Sequence, residues 1–380
     1  MKNYKSGEKR IINSGKSQQY EYFLPALINR DFNIENKKIL IALEEATRLI
    51  GELNAYGSLI PDIDFFIQMH VASEAVSSSK IEGTKTGMDE ALLEEDEIDP
   101  EKRDDWQEVK NYILATNKTV DNLNKLPVSV RLIKKTHKIL LSGVRGKHKM
   151  PGEIRTSQNW IGGASINSAH FVPPHHQHLS MLLSDWEIFW HNNSLDIPVL
   201  IKIAIGHFQF ETIHPFLDGN GRIGRLLISL QLIEKGFLKN PVLYISNFFE
   251  TYRQDYYDSL DKVRRDNNLD QWILFFLEGV IETSKNSKKT FENILKMREN
   301  FEVRISSLGR KAGRGRSLLI YLFSDPIIKI KDIEKVLDIQ YVAANNLVQD
   351  FVSLKILKEK TGYSRNRLFV MEDYIKLFRK

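Results

Sequence analysis

Between His214 and Arg225, twelve residues bring together an imidazole, a carboxylate, three glycines and two guanidinium groups: His214-Pro-Phe-Leu-Asp-Gly-Asn-Gly-Arg-Ile-Gly-Arg225. His214 is the one group here that takes up a proton near neutral pH. Pro215 disfavours helical geometry at the residue before it, so the preceding helix is expected to end at His214. Gly219 and Gly221 admit positive φ, and a loop with two such residues can turn successive backbone N–H groups inward as an anion nest. A helix beginning near Arg222 would aim its N-terminus at the same anion. Arg222 and Arg225, three apart, share a helix face and can grip phosphate oxygens bidentately. Asp218 is a hard oxygen donor of the kind that holds Mg²⁺ on substrate phosphates. Base, metal ligand, nest and arginines together describe a phosphate-group transfer site.

A rival reading is a metal centre. His207, Glu211 and His214 fall at i, i+4 and i+7 and could present ligands to zinc or iron. That reading leaves Asp218, Asn220 and both arginines without a role. The chain has no Gly-x-x-x-x-Gly-Lys-Ser/Thr loop, which argues against an ordinary P-loop enzyme.

The elements that must position these groups are mostly helical. Apolar spacing predicts a helix over 62–82, carried by Phe65, Phe66, Met69 and Val76, with Pro61 before it and Gly83 as its C-terminal stop. Further helices are expected over 108–123, 128–141, 181–190, 199–212, 223–234 and 271–283. Residues 154–172 differ: apolar runs around Trp160, Ile161, Ile166 and Phe171, broken by Gly162-Gly163 and followed by Pro173-Pro174, predict a β-hairpin. Residues 286–316 are charged, end in Gly309-Arg-Lys-Ala-Gly-Arg-Gly-Arg316, and read as a linker. Beyond it, helical patterns over 318–323, 330–337 and 342–354, then a wing over 356–370 containing Gly362, read as a small winged helix-turn-helix.

Composition sets the bounds. The chain has 380 residues, enough for two or three domains. It has no cysteine, which excludes disulfides, thiolate metal sites and a cysteine nucleophile. Residues 1–19 are polar with no apolar signal core, and no apolar run is long enough to span a bilayer, so a cytoplasmic location is expected. Lys and Arg total 54 against 49 Asp and Glu, a net charge of +5. The excess lies at the end: from Gly309 onward there are 15 basic and 8 acidic residues. This motivates a second reading, a nucleotide-sensing DNA-binding regulator with 342–354 as recognition helix. That helix has no Lys or Arg; its polar groups are limited to residues such as Asn345, Asn346 and Gln349, with Gln340 just before it.

The segment His214–Arg225 resembles the Fic motif, HPFx(D/E)GNGRxxR, with every defining position filled. The resemblance implies a mainly α, Fic-fold helical core with a hairpin flap, and transfer of AMP from ATP to Ser, Thr or Tyr hydroxyls of proteins, the chain itself included. By that resemblance His214 is the general base and Asp218 holds Mg²⁺. The stretch Gly219, Asn220, Gly221, Arg222, Ile223, Gly224 and Arg225 binds the nucleotide, Asn220 and the glycine backbones cradling phosphates and the two arginines taking the outer ones. Phe216 anchors the loop. Gly152-Glu-Ile-Arg-Thr156 through Ile161-Gly162-Gly163-Ala164 resembles the family's flap, which pins a target segment by strand addition, with Ile161 to Ala164 near the nucleotide. Tyr256-Tyr257 resembles a pair flanking the adenine, Tyr256 being the better candidate.

Ser78-Ser-Lys-Ile-Glu82-Gly83 matches the family's inhibitory pattern, (S/T)xxxE(G/N). Ser78 and Glu82 share a helix face, and Glu82 could take Arg225 from the γ-phosphate. In some relatives the same glutamate aligns water for removal of AMP. The resemblance thus divides the chain into an N-terminal region carrying the inhibitory helix (1–125), a Fic core (126–285), the linker (286–316) and the winged helix (317–380). Partners expected are ATP, Mg²⁺, a hydroxyl-bearing protein, a second copy of the chain, and DNA at the C-terminal domain, with no membrane. Relatives that transfer other phosphate-containing groups leave the donor open; the flap and Tyr256 favour ATP.

Overall fold

The structure is a computed structural model and describes residues 4–15, 19–59, 63–143, 148–361 and 367–379, without the side chains of 58–59 and 63–65. It opens with an antiparallel pair, β1 (Gly7–Ile12) and β2 (Tyr20–Pro25), in register from Gly7↔Pro25 to Ile12↔Tyr20. Helices α1 (Lys37–Leu59), α2 (Ile63–Ile81), α3 (Met88–Ala91), α4 (Arg103–Asn122) and α5 (Val130–Leu140) follow. After the flap region come α6 (Leu179–His191), α7 (Val199–Ile213), α8 (Asn220–Glu234), α9 (Ser246–Thr251), α10 (Arg253–Asp266) and α11 (Leu269–Ser306). The C-terminal part holds α12 (Ala312–Ser324), β3 (Ile327–Lys329), α13 (Ile330–Leu337), α14 (Tyr341–Ser353), β4 (Lys358–Glu359), β5 (Leu368–Val370) and α15 (Glu372–Lys376), its strands forming one antiparallel sheet in the order β3-β5-β4.

Helix α7 is the axis of the core. Its sequence is apolar all round, which suits a helix covered on every side, and every residue from Leu200 to Ile213 is buried. Two indole N–H groups donate to its backbone: Trp186 to the Gly206 carbonyl and Trp272 to that of Ala204, both at 2.8 Å. Both rings therefore lie against α7, one from α6 and one from α11. Helix α2 packs against α4, α8, α9 and α12, and rings from the C-terminal part of the chain hold it. Phe66 meets Phe323 at 5.0 Å between ring centroids, and His70 lies between Phe291 and Phe378. Among the described residues no helix is long and apolar enough to cross a membrane.

Three expectations need correction. The charged stretch expected as a linker is mostly helix: α11 continues unbroken through 286–306, because Phe291, Ile294, Phe301 and Ile305 keep a buried stripe beneath its charges. Residues 312–316 belong to α12, where Gly315 lets the helix approach Ile305; a Cβ there would lie 2.7 Å from the Ile305 side chain. The flap hairpin reduces to one antiparallel bridge, Ile161↔Phe171, closed by Ile161 N–H to the Phe171 carbonyl at 2.8 Å. Positive φ at Gly162 and Gly163 and a short 3₁₀ turn at Ile166–Ser168 take up the residues between. The expected start at Pro61 and the wing glycine Gly362 lie outside the described residues, as does the side chain of Phe65.

Candidate active site

The site is the seam between α7 and α8. His214 caps α7 in the left-handed region (φ 49°, ψ 62°), its N–H still closing the last helical turn onto the Phe210 carbonyl at 3.0 Å. Pro215 then ends the helix, as expected, though with His214 left-handed rather than extended. The imidazole Nδ1 lies 3.4 Å from the Glu211 carbonyl. A carbonyl only accepts, so Nδ1 carries the proton and Nε2 is left with its lone pair. Burial, helped by the nearby Arg155 charge, pulls the imidazole down to about 4, so it is neutral at physiological pH. If this group is a general base, the acid limb of kcat/KM should fall near pH 4 rather than near 6.5; a pH profile checks it, since protonation below the lowered value removes the acceptor.

The loop after Pro215 is fixed by bonds within it and from below. Asn220 Oδ1 accepts the Phe216 N–H at 2.8 Å while its Nδ2 donates to the Phe216 carbonyl at 2.9 Å. The buried amide thus braces the turn. Phe216, fully buried, stacks on His137 at 3.8 Å with 9° between planes. His137 Nδ1 accepts the Gly152 N–H at 2.8 Å, so its Nε2–H donates to the Asp218 carbonyl at 2.9 Å. Arg155, 2% exposed, donates from Nε to the His214 carbonyl at 2.9 Å and from Nη2 to that of Pro174 at 2.6 Å. It joins the flap's two ends to the base. Sequence reading assigned no role to His137 or Arg155. The only signal for His137 was its place beside Ile133 and Leu140 on the apolar face of α5. Phe216→Ala should cost about 3–5 kcal/mol of stability, measured by urea unfolding, because it empties a close-packed site under the loop.

Helix α8 begins at Asn220, two residues earlier than expected. Gly219 has φ 76°, as expected of the turn. Gly221 does not; it lies within the helix and is required for closeness. A Cβ on it would sit 2.3 Å from Glu82 Oε1 and 2.8 Å from Arg225 Nη1. A carboxylate therefore rests on the first turn of α8, where N–H groups have no intrahelical acceptor and favour an anion. Arg225, 1% exposed, holds it: Nη2 donates to Glu82 Oε1 at 2.7 Å and to the Ser78 carbonyl at 2.8 Å, and Nε to Ser78 Oγ at 2.9 Å. Burial opposes the charge on Glu82, but Arg225 outweighs it and keeps the carboxyl below its usual range. Gly83 turns the chain away with φ 103°.

The other expected contacts divide. Arg222, 3% exposed, is tied to Glu108 at 3.0 Å and lies 3.6 Å from Asp218. Asp218 keeps a 43% exposed carboxylate at the mouth, one oxygen accepting the Gly219 N–H at 2.6 Å. Such a hard, open oxygen donor fits a divalent cation. Ile223 and Gly224 are buried in α8, and Gly224 lies against α7, where a Cβ would come 2.1 Å from Glu211 Oε1. Tyr256 is sealed in the core, 1% exposed, its O–H donating to His207 Nε2 at 2.9 Å. Tyr257, 38% exposed, is the ring left at the surface. Its hydroxyl is raised by burial and, after that, by the negative charge of Glu82. Gly162, Gly163 and Ala164 are exposed in the flap and Ile161 is half-buried. The metal reading fails on geometry. His207 spends Nδ1 on the Gly224 carbonyl and Nε2 on Tyr256, and among the described residues no three His, Asp or Glu side chains gather as a metal cluster.

Comparisons with known proteins bear on the family and the fold. Residues 40–121 match the family model for the Fic/DOC family N-terminal region, and residues 127–232 match that for the Fic/DOC family. A probable protein adenylyltransferase of Aquifex aeolicus is 30% identical over 188 residues, 48% of this chain and 56% of that protein. A protein adenylyltransferase of Caenorhabditis elegans is 36% identical over 111 residues, 29% of this chain and 19% of that protein. The chain thus spans about half the length of the first of these relatives and less of the second. A Fic family protein from Desulfovibrio desulfuricans superposes with a TM-score of 0.56 at 17% identity, over 90% of this chain and 98% of that one. A Fic domain containing signaling protein from Bacteroides thetaiotaomicron gives 0.55 at 17% identity, over 66% and 97%. The fold is mainly helical and Fic-like.

Proposed function

We propose that this chain is a protein adenylyltransferase of the Fic type, held off by its own Glu82. The observation that carries the reading is the carboxylate of Glu82 seated on the first turn of α8 and paired with Arg225, within reach of a neutral His214. A carboxylate there stands where a phosphate group would be received. The names of the curated relatives supply the reaction.

In that reaction, His214 Nε2 takes the proton from a target Ser, Thr or Tyr hydroxyl as its oxygen attacks the α-phosphorus of ATP. The bond to the bridging oxygen breaks, pyrophosphate leaves, and a phosphodiester to AMP forms. Asp218 would hold Mg²⁺, which supplies neutralising charge to the phosphates. Arg225 binds the outer phosphates once released from Glu82. The backbone of the Gly219–Gly221 turn receives the rest, kept rigid by Asn220 and the His137–Phe216 stack. Exposed Gly162 to Ala164 present the flap to an extended target segment. The C-terminal helices and sheet, read as a winged helix, serve a protein partner better than DNA, because the exposed face of α14 offers Tyr341 and Val342 and no cation.

The test is transfer of radiolabelled AMP from ATP to the protein itself and to a lysate. Labelling that depends on His214 and Mg²⁺ supports the reading. Absence of labelling, even after Glu82 is replaced, would overturn it.

A further inference from the structure

Glu211 is a buried carboxyl that the reaction above does not use. It lies in the last turn of α7, 7% exposed, and its Oε1 is buried without a hydrogen-bond partner among the described residues. It reaches the seam because Gly224 has no side chain: a Cβ there would lie 2.1 Å from Oε1. The carboxyl thus rests on the α8 backbone one residue before Arg225.

The groups that face it come from every neighbouring element. Arg225 on α8 and Arg264 on α10 stabilise its ionised form, and Glu82, just after α2, opposes it. Tyr256 on α10 feels its negative charge. His207 and His214 lie on its own helix, both neutral at physiological pH, since burial pulls them down to about 3 and about 4. Burial is the largest influence on Glu211 itself and pushes it up to about 7. A carboxyl so placed is shared between its two forms in the range where the protein works.

Given the functional reading above, on which this rests, we propose that Glu211 is a proton-linked positioning residue: it must be neutral for Arg225 to hold a triphosphate. When the nucleotide replaces Glu82, one carboxylate gives way to a terminal phosphate of about −1.5 to −2 charge. The Mg²⁺ that Asp218 would hold offsets part of that charge, and MgATP still arrives with net negative charge. A charged Glu211 would repel the phosphate through a low-dielectric wall. A neutral one leaves the whole of the Arg225 charge to the ligand and gains an O–H to donate. Nucleotide binding therefore takes up a proton, and affinity falls as pH rises through the titration of Glu211.

The test uses the full chain carrying Glu82→Gly, with and without Glu211→Gln, which is isosteric and permanently neutral. Binding of MgATP is measured by calorimetry at pH 6.5 and 8.5, in two buffers of different ionisation enthalpy. The protein with Glu211 should take up a proton and lose affinity by up to about tenfold per pH unit, the limit for one proton. The Gln variant should keep its affinity at pH 8.5; ionisation of the nucleotide itself is common to both proteins. Equal pH dependence in the two would overturn the proposal. So would a proton count of zero in the protein that retains Glu211, a result that needs no substitution there. Failure of both proteins to bind MgATP at pH 6.5 would overturn the functional reading, and this inference with it.

Discussion

Glu82→Gly should raise AMP transfer by roughly 10- to 100-fold. On the proposed reading the substitution removes a charge-assisted hydrogen bond that would compete with ATP for Arg225, and bonds to charged groups contribute about 1.5–3 kcal/mol. It leaves the guanidinium in place, because Ser78 still accepts from Nε and Nη2. The seat on α8 is vacated while the rest of the loop is untouched. The rate of label incorporation at subsaturating MgATP checks it. A rate unchanged from the parent protein would mean that the pair does not inhibit. Gly221→Ala gives the contrast. Its methyl group would also expel Glu82, from 2.3 Å. It would then fill the same seat, so activity should stay low. Two substitutions that dislodge one carboxylate would thereby have different outcomes, which a merely structural role for Glu82 would not produce.

His214→Ala, made in the Glu82→Gly protein, should lower kcat by about 10²–10⁴-fold, the range for a positioned general base. MgATP affinity should change little, because the proposed phosphate contacts would reside in the Gly219–Gly221 turn and Arg225. Single-turnover labelling together with calorimetric binding separates the two effects. Loss of binding along with rate would show instead that the imidazole supports the loop. The geometry argues against that: the loop is braced by Asn220, His137 and Arg155, and the bond from Arg155 uses only the His214 carbonyl. An alanine at 214 keeps that carbonyl.

Much of the site was legible because its chemistry is local. Helix end, base, turn and guanidinium groups occupy one run of twelve residues, and Pro215 and Gly219 act on their own backbones. What failed to read from sequence depends on partners far along the chain. Asn220 and Tyr256 carry polar groups that suit a ligand equally well, and only the fold showed those groups already satisfied, by Phe216 and His207. The charged segment 286–306 read as a linker because its buried stripe is sparse. Alignment of Phe291, Ile294, Phe301 and Ile305 on one face becomes evident once α11 has a surface to lie on. His137 gave no local sign of its task, since an imidazole on an apolar face is ordinary until something stacks on it.

By itself the sequence determined the kinds of group present and their order along the backbone: an imidazole before a proline, then a glycine turn, then two arginines one helical turn apart. Spacing and local dihedral limits act within a few residues, so these needed no tertiary contact. The tertiary structure decided which charge meets which. It brought Glu82 to Arg225 across a sequence separation of 143, assigned Arg222 to Glu108, and placed Glu211 behind α8 through the gap at Gly224. Such pairings follow from how helices pack around α7, and burial there sets which groups are charged.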